Sequence, residues 1–302
     1  MIFPRATART RFKRLCKTVL QKALRYLRLI KCPQTGLLLV TGLAGYMSCR
    51  CPVFNLATVL STAGSLFLAI SGSTVLNMWY DRDIDALMSR TCWRPLPAKE
   101  ISPNQVLGFG LTLSALGVGW ALTMDLLFGA IVFAGLFLNL VVYTIWLKRR
   151  TAWSILWGGL AGGMPILAGR ALGFGRIDGI GLLLMMAVLF WIPTHIMTFN
   201  IRYAQDYQLA GLPTFANVYG IKKTRRIIAV SSLLAGLAIG LSAFGIGMAI
   251  GYLRLLLALS FGLLGLALSS LLRPSARINF GLFKYASFYI LGSMLLLAGA
   301  AG

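Results

Sequence analysis

Asn77, Asp81 and Asp85 recur every four residues at the end of a long apolar run, and three of the chain's seven acidic residues (Asp81, Asp83 and Asp85) fall within five positions there. On a continuing helix this spacing puts Asn77, Asp81 and Asp85 on one stripe, about 6 Å apart per step. Asp83 falls off it. Carboxylates stacked at the C-terminal end of a helix repel one another and oppose the helix dipole. A bound cation removes both penalties. An amide and carboxylates offer only oxygen, which suits Mg²⁺, an ion that keeps waters and bridges to substrate phosphates. The competing reading of the same spacing is a wet, charged cap just beyond a membrane helix.

A second polar stretch lies far along the chain. It runs from Trp191 through Pro193, His195, Asn200, Arg202, Tyr203 and Gln205 to Asp206 and Tyr207, then Gly211 and Pro213, and holds the only histidine. Polar side chains within an apolar segment are costly, so His195 and Asn200 are functional candidates. A histidine simply hydrogen-bonded between helices is the alternative. Both stretches deliver acids next to cationic loops. Carboxylates can hold a metal, the metal phosphates, and Arg or Lys the remaining phosphate charge. Arg90, Arg94, Lys148, Arg149 and Arg202 are candidates for that last role. With an apolar bundle beneath, the implied ligand is a polyprenyl diphosphate, and the chemistry is metal-assisted ionisation of its allylic carbon–oxygen bond. Neither a Ser-His-Asp nor a Cys-His arrangement competes.

The elements that carry these residues read as membrane spans. The chain is 58% hydrophobic and 12% charged with a mean hydropathy of +0.80, the composition of an all-α polytopic membrane protein. Apolar runs fall at about 30–49, 55–79, 104–123, 126–147, 153–173, 179–201, 227–249, 253–272 and 284–301, predicting nine transmembrane helices. Residues 30–302 then form one domain, preceded by a basic segment at 1–29. Ten Lys or Arg occur before Cys32, and Phe12, Leu15, Val19, Ala23, Leu27 and Ile30 fall near one helical face of that segment. A basic helix lying on anionic headgroups is expected, with an organelle transit peptide as the competitor.

The net charge of +22 is therefore a membrane signature, and no nucleic-acid partner is expected. A cytoplasmic N-terminus puts the basic tail, Arg82, Arg90, Arg94, Lys99, Lys148, Arg149, Arg150, Arg202, Lys222, Lys223, Arg225, Arg226, Arg273, Arg277 and Lys284 on one side. Only Arg50, Arg170, Arg176 and Arg254 remain for the other. Asp81, Asp83, Asp85, Glu100 and Asp206 run against that sorting, which points to function. The five cysteines form no Cys-x-x-Cys pair and read as free thiols. Gly158–Gly163 and Gly236–Gly240 read as helix-packing faces.

The residues from Asn77 to Asp85, continuing to Arg90 and Arg94-Pro-Leu-Pro97, resemble the first aspartate-rich motif of the UbiA superfamily of intramembrane prenyltransferases. More narrowly they are similar to the protoheme IX farnesyltransferases, as are Tyr143-Thr-x-x-Leu-Lys148-Arg149, Gly158 to Pro165, Trp191-x-Pro-x-His195 and Asp206-Tyr207 to Pro213. The chain departs from that pattern at Ile196–Asn200, at Gln205, at Ser154 and at Thr214–Asn217. The resemblance implies a nine-helix UbiA-like bundle that transfers a farnesyl group from farnesyl diphosphate to a vinyl group of haem B, giving haem O. It implies Asp81, Asp85 and Asp206 as catalytic carboxylates, with Asn77, Asp81, Asp85 and Asp206 holding Mg²⁺-diphosphate. Arg90, Arg94, Lys148, Arg149, Arg202 and Tyr143 would bind substrate, and His195 would face or ligate the porphyrin. The expected location is the cell membrane rather than a mitochondrial inner membrane. Within the superfamily a quinone precursor or a glycerol phosphate lipid is the alternative acceptor. A cation transporter using the same acids is the reading from another class, disfavoured because the acids sit at helix ends rather than at the midplane.

Overall fold

Every regular element is a helix among the residues that the computed structural model describes, which are 21–300 except 22 and 50–54. Residues 1–20 of the basic segment, with Cys16, and also Arg50 and Cys51 lie outside them. The helices are α1 (Cys32–Met47), α2 (Leu56–Tyr80), α3 (Arg82–Leu87), α4 (Pro103–Met124) and α5 (Leu126–Phe137), which runs on as a π-helix over Leu138–Leu147. Then follow α6 (Ser154–Phe174), α7 (Gly179–Arg202), α8 (Ala204–Leu209), α9 (Phe215–Tyr219), α10 (Ile221–Ile246), α11 (Ile250–Leu272) and α12 (Ala276–Gly299).

Local chemistry sets the boundaries. Asn55, Asp125, Asp178 and Ser275 each accept a first-turn amide with the side chain, and Ser102 with Gln105 forms a reciprocal capping box ahead of Pro103. Gly175 and Gly247 end α6 and α10 with φ of 74° and 73°, values that a side chain would strain.

Eight of these helices are long and apolar enough to cross a membrane among the described residues. The first of the nine expected spans, α1, has 16 residues, about 24 Å at ~1.5 Å per residue against a hydrocarbon core of ~30 Å. Residues 23–30 are also helical, but Lys31 turns left-handed (φ 50°) and Pro33 starts a fresh helix. The last three spans begin before their apolar runs. Lys222, Lys223, Arg225, Arg226 and Arg277 lie in the first turns of α10 and α12 rather than in loops, where long cationic side chains can reach out of an apolar layer.

Close helix approach depends on glycine. A Cβ on Gly169 would lie 1.9 Å from the Gly42 carbonyl oxygen, and one on Gly45 2.1 Å from that of Ile166, so α1 and α6 touch backbone to backbone. Gly162 and Gly163 likewise admit Ile192 and Met185 of α7. The expected Gly236–Gly240 face differs, since Gly240 looks into open space within the chain. Away from the acidic motif, buried Arg170 ties α1, α6 and α7 together. Its guanidinium donates to both oxygens of Asp178 at 2.7–3.0 Å and to the Ser48 carbonyl and hydroxyl at 3.1 and 2.8 Å. Burial alone would raise the Asp178 carboxyl, but the Arg170 hydrogen bonds and the Gly181 amide outweigh it and hold the pKa below the usual value.

Candidate active site

The stripe Asn77, Asp81, Asp85 survives a change of helix. Asp81 is the junction between α2 and α3, yet its amide bonds to the Asn77 carbonyl (3.0 Å) and the Asp85 amide to the Asp81 carbonyl (2.8 Å), so the four-residue step carries through. All three line a polar pocket of about 320 Å³. Asp81 and Asp85 are buried at 2% and 5% exposure. Asp83 points off the stripe, its side chain 60% exposed, and pairs with Arg149 through two 2.7 Å hydrogen bonds.

Each pocket carboxylate faces a cation. Lys148, which follows the π-helix, donates to Asp81, and Arg94, from the loop after α3, donates to Asp85 at 2.6 Å. Burial would depress the Lys148 ammonium, but the Asp81 charge beside it prevails and holds its pKa above the usual lysine value. The remaining Asp81 oxygen, Oδ1, is buried without a hydrogen-bond partner among the described residues, and Arg149 Nη2 lies 3.9 Å from it. Asn77 gives its amide N–H to Thr144 Oγ1 at 2.9 Å, which leaves its carbonyl oxygen unspent. An orphaned carboxylate oxygen next to a free amide oxygen and a second carboxylate is a donor set that fits a hard divalent ion.

Sequence reasoning did not single out several residues of this pocket. Lys31 lines it together with Arg90, Arg94 and Lys148, so four cations face two carboxylates. Burial, and after it the Arg94 guanidinium, pushes Lys31 down to about 7. The π-helix supplies Asn139 beside the expected Tyr143, and its Thr144 holds Asn77 from outside the pocket lining; Asn139 donates to Ser73 Oγ at 2.7 Å. Wide helical turns of this kind often mark functional sites. Tyr207 lines the pocket and accepts from Arg90 (3.4 Å), whose guanidinium lies 4.7 Å from the centre of the Phe199 ring.

Three expected site residues lie elsewhere. Asp206 accepts from the Ser89 hydroxyl through both oxygens, at 3.0 and 2.9 Å, and more weakly from the Arg90 amide (3.4 Å). It does not line the pocket with Asp81 and Asp85, and among the described residues no three His, Cys, Asp or Glu side chains gather as a metal cluster. Arg202 stacks over Phe280 at 3.9 Å, and Arg149 is held by Asp83 and the Tyr80 carbonyl.

Beneath the polar pocket lies an apolar cavity of about 660 Å³, lined among others by Leu37, Leu66, Ile70, Val132, Met164, Trp191 and Leu291. Gln34, Thr74, Asn139, Tyr143, Ile155, His195, Ile196 and Phe283 border both spaces and so form the neck between them.

Residues 38–288 match the model of the UbiA prenyltransferase family. The chain belongs to this family. Among its relatives, the protoheme IX farnesyltransferase of Archaeoglobus fulgidus is 41% identical over 208 residues, 68% of this chain and 72% of that protein. The enzyme of the same name from Thermofilum pendens is 39% identical over 251 residues (80% and 86%), and that of Brucella ovis 39% over 242 residues (78% and 76%). In fold the chain is similar to digeranylgeranylglyceryl phosphate synthase, with TM-score 0.76, 19% identity and coverage of 93% and 99%. It is also similar to a UbiA homologue from Archaeoglobus fulgidus bound to DMAPP and Mg²⁺ (0.70, 17%, 90% and 99%). As a UbiA-family prenyltransferase with eight long apolar helices among the described residues, it is a multi-pass integral membrane protein. The family assignment and the geometry meet at the neck, where a charged pocket opens into an apolar chamber.

Proposed function

We propose that this protein transfers the farnesyl group of farnesyl diphosphate to a vinyl group of haem B, with addition of water, to form haem O. The observation that carries the reading is the joined pair of spaces: a cationic pocket with two carboxylates opens through a shared neck into an apolar cavity of about 660 Å³. The relatives of about 40% identity, named protoheme IX farnesyltransferases, supply the donor and acceptor.

On this reading Asn77, Asp81 and Asp85 hold Mg²⁺ at the head of the donor, and Asp81 Oδ1 is the oxygen best prepared for it. When bound, the metal neutralises diphosphate charge and so assists departure of the leaving group. Lys31, Arg90, Arg94 and Lys148 bind the phosphate oxygens, with Arg90 held flat by Phe199 and Tyr207. Asp206 fixes the Ser89–Arg90 backbone and thereby aims Arg90. Ionisation leaves positive charge on the allylic carbon at the neck, where the Tyr143 and Phe283 rings offer electron-rich faces. The apolar walls keep water from quenching that charge early. The charged end of the bundle lies on the cytoplasmic side of the cell membrane, as the distribution of Lys and Arg supports.

The test is mass spectrometry of haems extracted from a host that cannot make haem O, with and without this protein. Appearance of a hydroxyethylfarnesyl haem, lost in Asp81→Ala, is expected. An unchanged haem pool beside Mg²⁺-dependent binding of farnesyl diphosphate would move the acceptor to a quinone precursor or a lipid.

A further inference from the structure

All seven acidic residues of the chain are committed. Asp81, Asp83, Asp85, Glu100 and Asp178 pair with Lys148, Arg149, Arg94, Arg25 and Arg170. Asp125 caps α5, and Asp206 accepts from Ser89. Of the cations left without a counter-charge among the described residues, Arg202 and Lys284 lie together. Arg202 is in the last turn of α7 and Lys284 in α12, and they share the Phe280 ring. Its centre is 3.9 Å from the Arg202 guanidinium carbon and 4.7 Å from Lys284 Nζ. Like charges over one ring repel each other, and the aromatic face offsets only part of that cost. Both side chains are exposed, so a ligand can reach them.

Their place in the fold narrows what that ligand is. α12 begins at Ala276, which puts Lys284 in its third turn, about 12 Å along at ~1.5 Å per residue. A cation that far into an apolar helix is costly unless something answers it. Phe283, its neighbour in sequence, borders both the polar pocket and the apolar cavity. Phe288 and Leu291, one to two turns further on, line the apolar cavity and are yet 58% and 37% exposed. Pro33 and Gln34 of α1 likewise line it and are exposed, and α1 packs against α12. The cavity therefore meets the outer surface along the seam between α1 and α12. Lys284 and Arg202 stand at the end of that seam nearer the polar pocket, where an apolar molecule with anionic groups on one edge would have both parts met.

We propose that Arg202 and Lys284 clamp the two carboxylates of the porphyrin acceptor at the rim of this seam. The proposal rests on haem being the acceptor. Haem B carries both carboxylates on the half of its ring away from the vinyl groups, so holding them at the rim turns the vinyl edge inward, toward Phe283 and the neck. Two carboxylates against two cations also cancel the repulsion across Phe280. An acceptor with one anionic group, or with none, leaves at least one cation unmet, which makes the pair a specificity device as well as an anchor.

The experiment compares haem B with its dimethyl ester as acceptors for the full-length protein in phosphatidylcholine nanodiscs, with products read by mass spectrometry. The wild type should show a KM for haem B about tenfold below that for the ester, the scale of a charge-assisted hydrogen bond, with similar kcat. Arg202→Gln and Lys284→Gln should each narrow that preference severalfold, and the double variant should abolish it. Lys284→Arg should keep it, and KM for farnesyl diphosphate should stay unchanged throughout. Equal use of acid and ester by the wild type overturns the proposal without any variant, as does a double variant that still prefers the acid. If removing the two charges instead alters activity only in nanodiscs that contain phosphatidylglycerol, and equally for acid and ester, the clamp holds a lipid phosphate and the proposal is overturned. If neither porphyrin is farnesylated while Mg²⁺-dependent binding of farnesyl diphosphate persists, the acceptor assignment itself has failed, and the clamp with it.

Discussion

Asp81 and Asp83 are two residues apart and both bonded to cations, yet their substitution should differ in cost by orders of magnitude. The Asp83 side chain is 60% exposed and pairs with Arg149, itself 32% exposed, an interaction worth about 0–1 kcal/mol. Asp83→Ala should therefore cost at most roughly fivefold in activity. Asp81 is buried against Lys148, and truncating one partner of a buried pair costs about 3–5 kcal/mol. Charged to the transition state, that is roughly 10²- to 10⁴-fold in rate at about 1.36 kcal/mol per tenfold. Asp81→Ala also strands the Lys148 ammonium, so loss of folding must be separated from loss of catalysis. The double variant Asp81→Ala Lys148→Met removes the stranded charge and should regain thermal stability without regaining turnover. The assay is farnesyl transfer to haem B by mass spectrometry, alongside melting curves in the same detergent. Equal loss of activity in Asp81→Ala and Asp83→Ala would refute the stripe argument, and activity in the double variant would remove Asp81 from the metal site.

Lys31, pushed down to about 7 by burial and Arg94, is charged below that pH and neutral above it. Affinity for an unreactive farnesyl diphosphate analogue should then fall about tenfold from pH 6 to 8, and Lys31→Arg should flatten the profile in calorimetric titrations. Arg170→Met leaves Asp178 without its partner and should lower the melting temperature by several degrees while KM for the donor stays unchanged. Because the Asp178 pKa is depressed in the fold, the stability this pair contributes is present at neutral pH and lost only as pH falls below the ordinary carboxylate range. Melting curves from pH 3 to 8 check both statements. Gly169→Ala drives a Cβ into the Gly42 carbonyl, and should abolish folded protein on size-exclusion chromatography, whereas Gly240→Ala, which meets nothing, should be neutral.

The sequence made Asn77, Asp81 and Asp85 legible because acids are scarce in this chain and a four-residue step keeps its face even across the junction at Asp81. Helix positions were equally legible where spans are uniformly apolar. The starts of α10 and α12 were not, because cationic first turns look like loops when hydropathy alone is read. Asn139, and the contact that Thr144 makes with Asn77, were hidden since a π-helix shifts which residues share a face, and nothing in Leu138–Leu147 announces that wider turn. Lys31 was hidden as the last of ten cations in a row of similar ones. Asp206 was legible as chemistry but not as geometry: its partners, Ser89 and Arg90, lie in a loop more than a hundred positions earlier, whose path no local pattern dictates.

The pairing of Lys148 with Asp81 and of Arg94 with Asp85 has a consequence for the order of events on the proposed reading. Mg²⁺ arriving alone would meet only the unspent Asp81 Oδ1 and Asn77 oxygen unless it parted these couples and left two cations without counter-charge. A diphosphate arriving alone would draw off the cations and leave two carboxylates bare. Together they permit an exchange of partners that strands no charge, so each must raise the affinity for the other. The site then behaves as a coincidence detector that holds either visitor weakly alone and both strongly together, and the couples re-form when both have left.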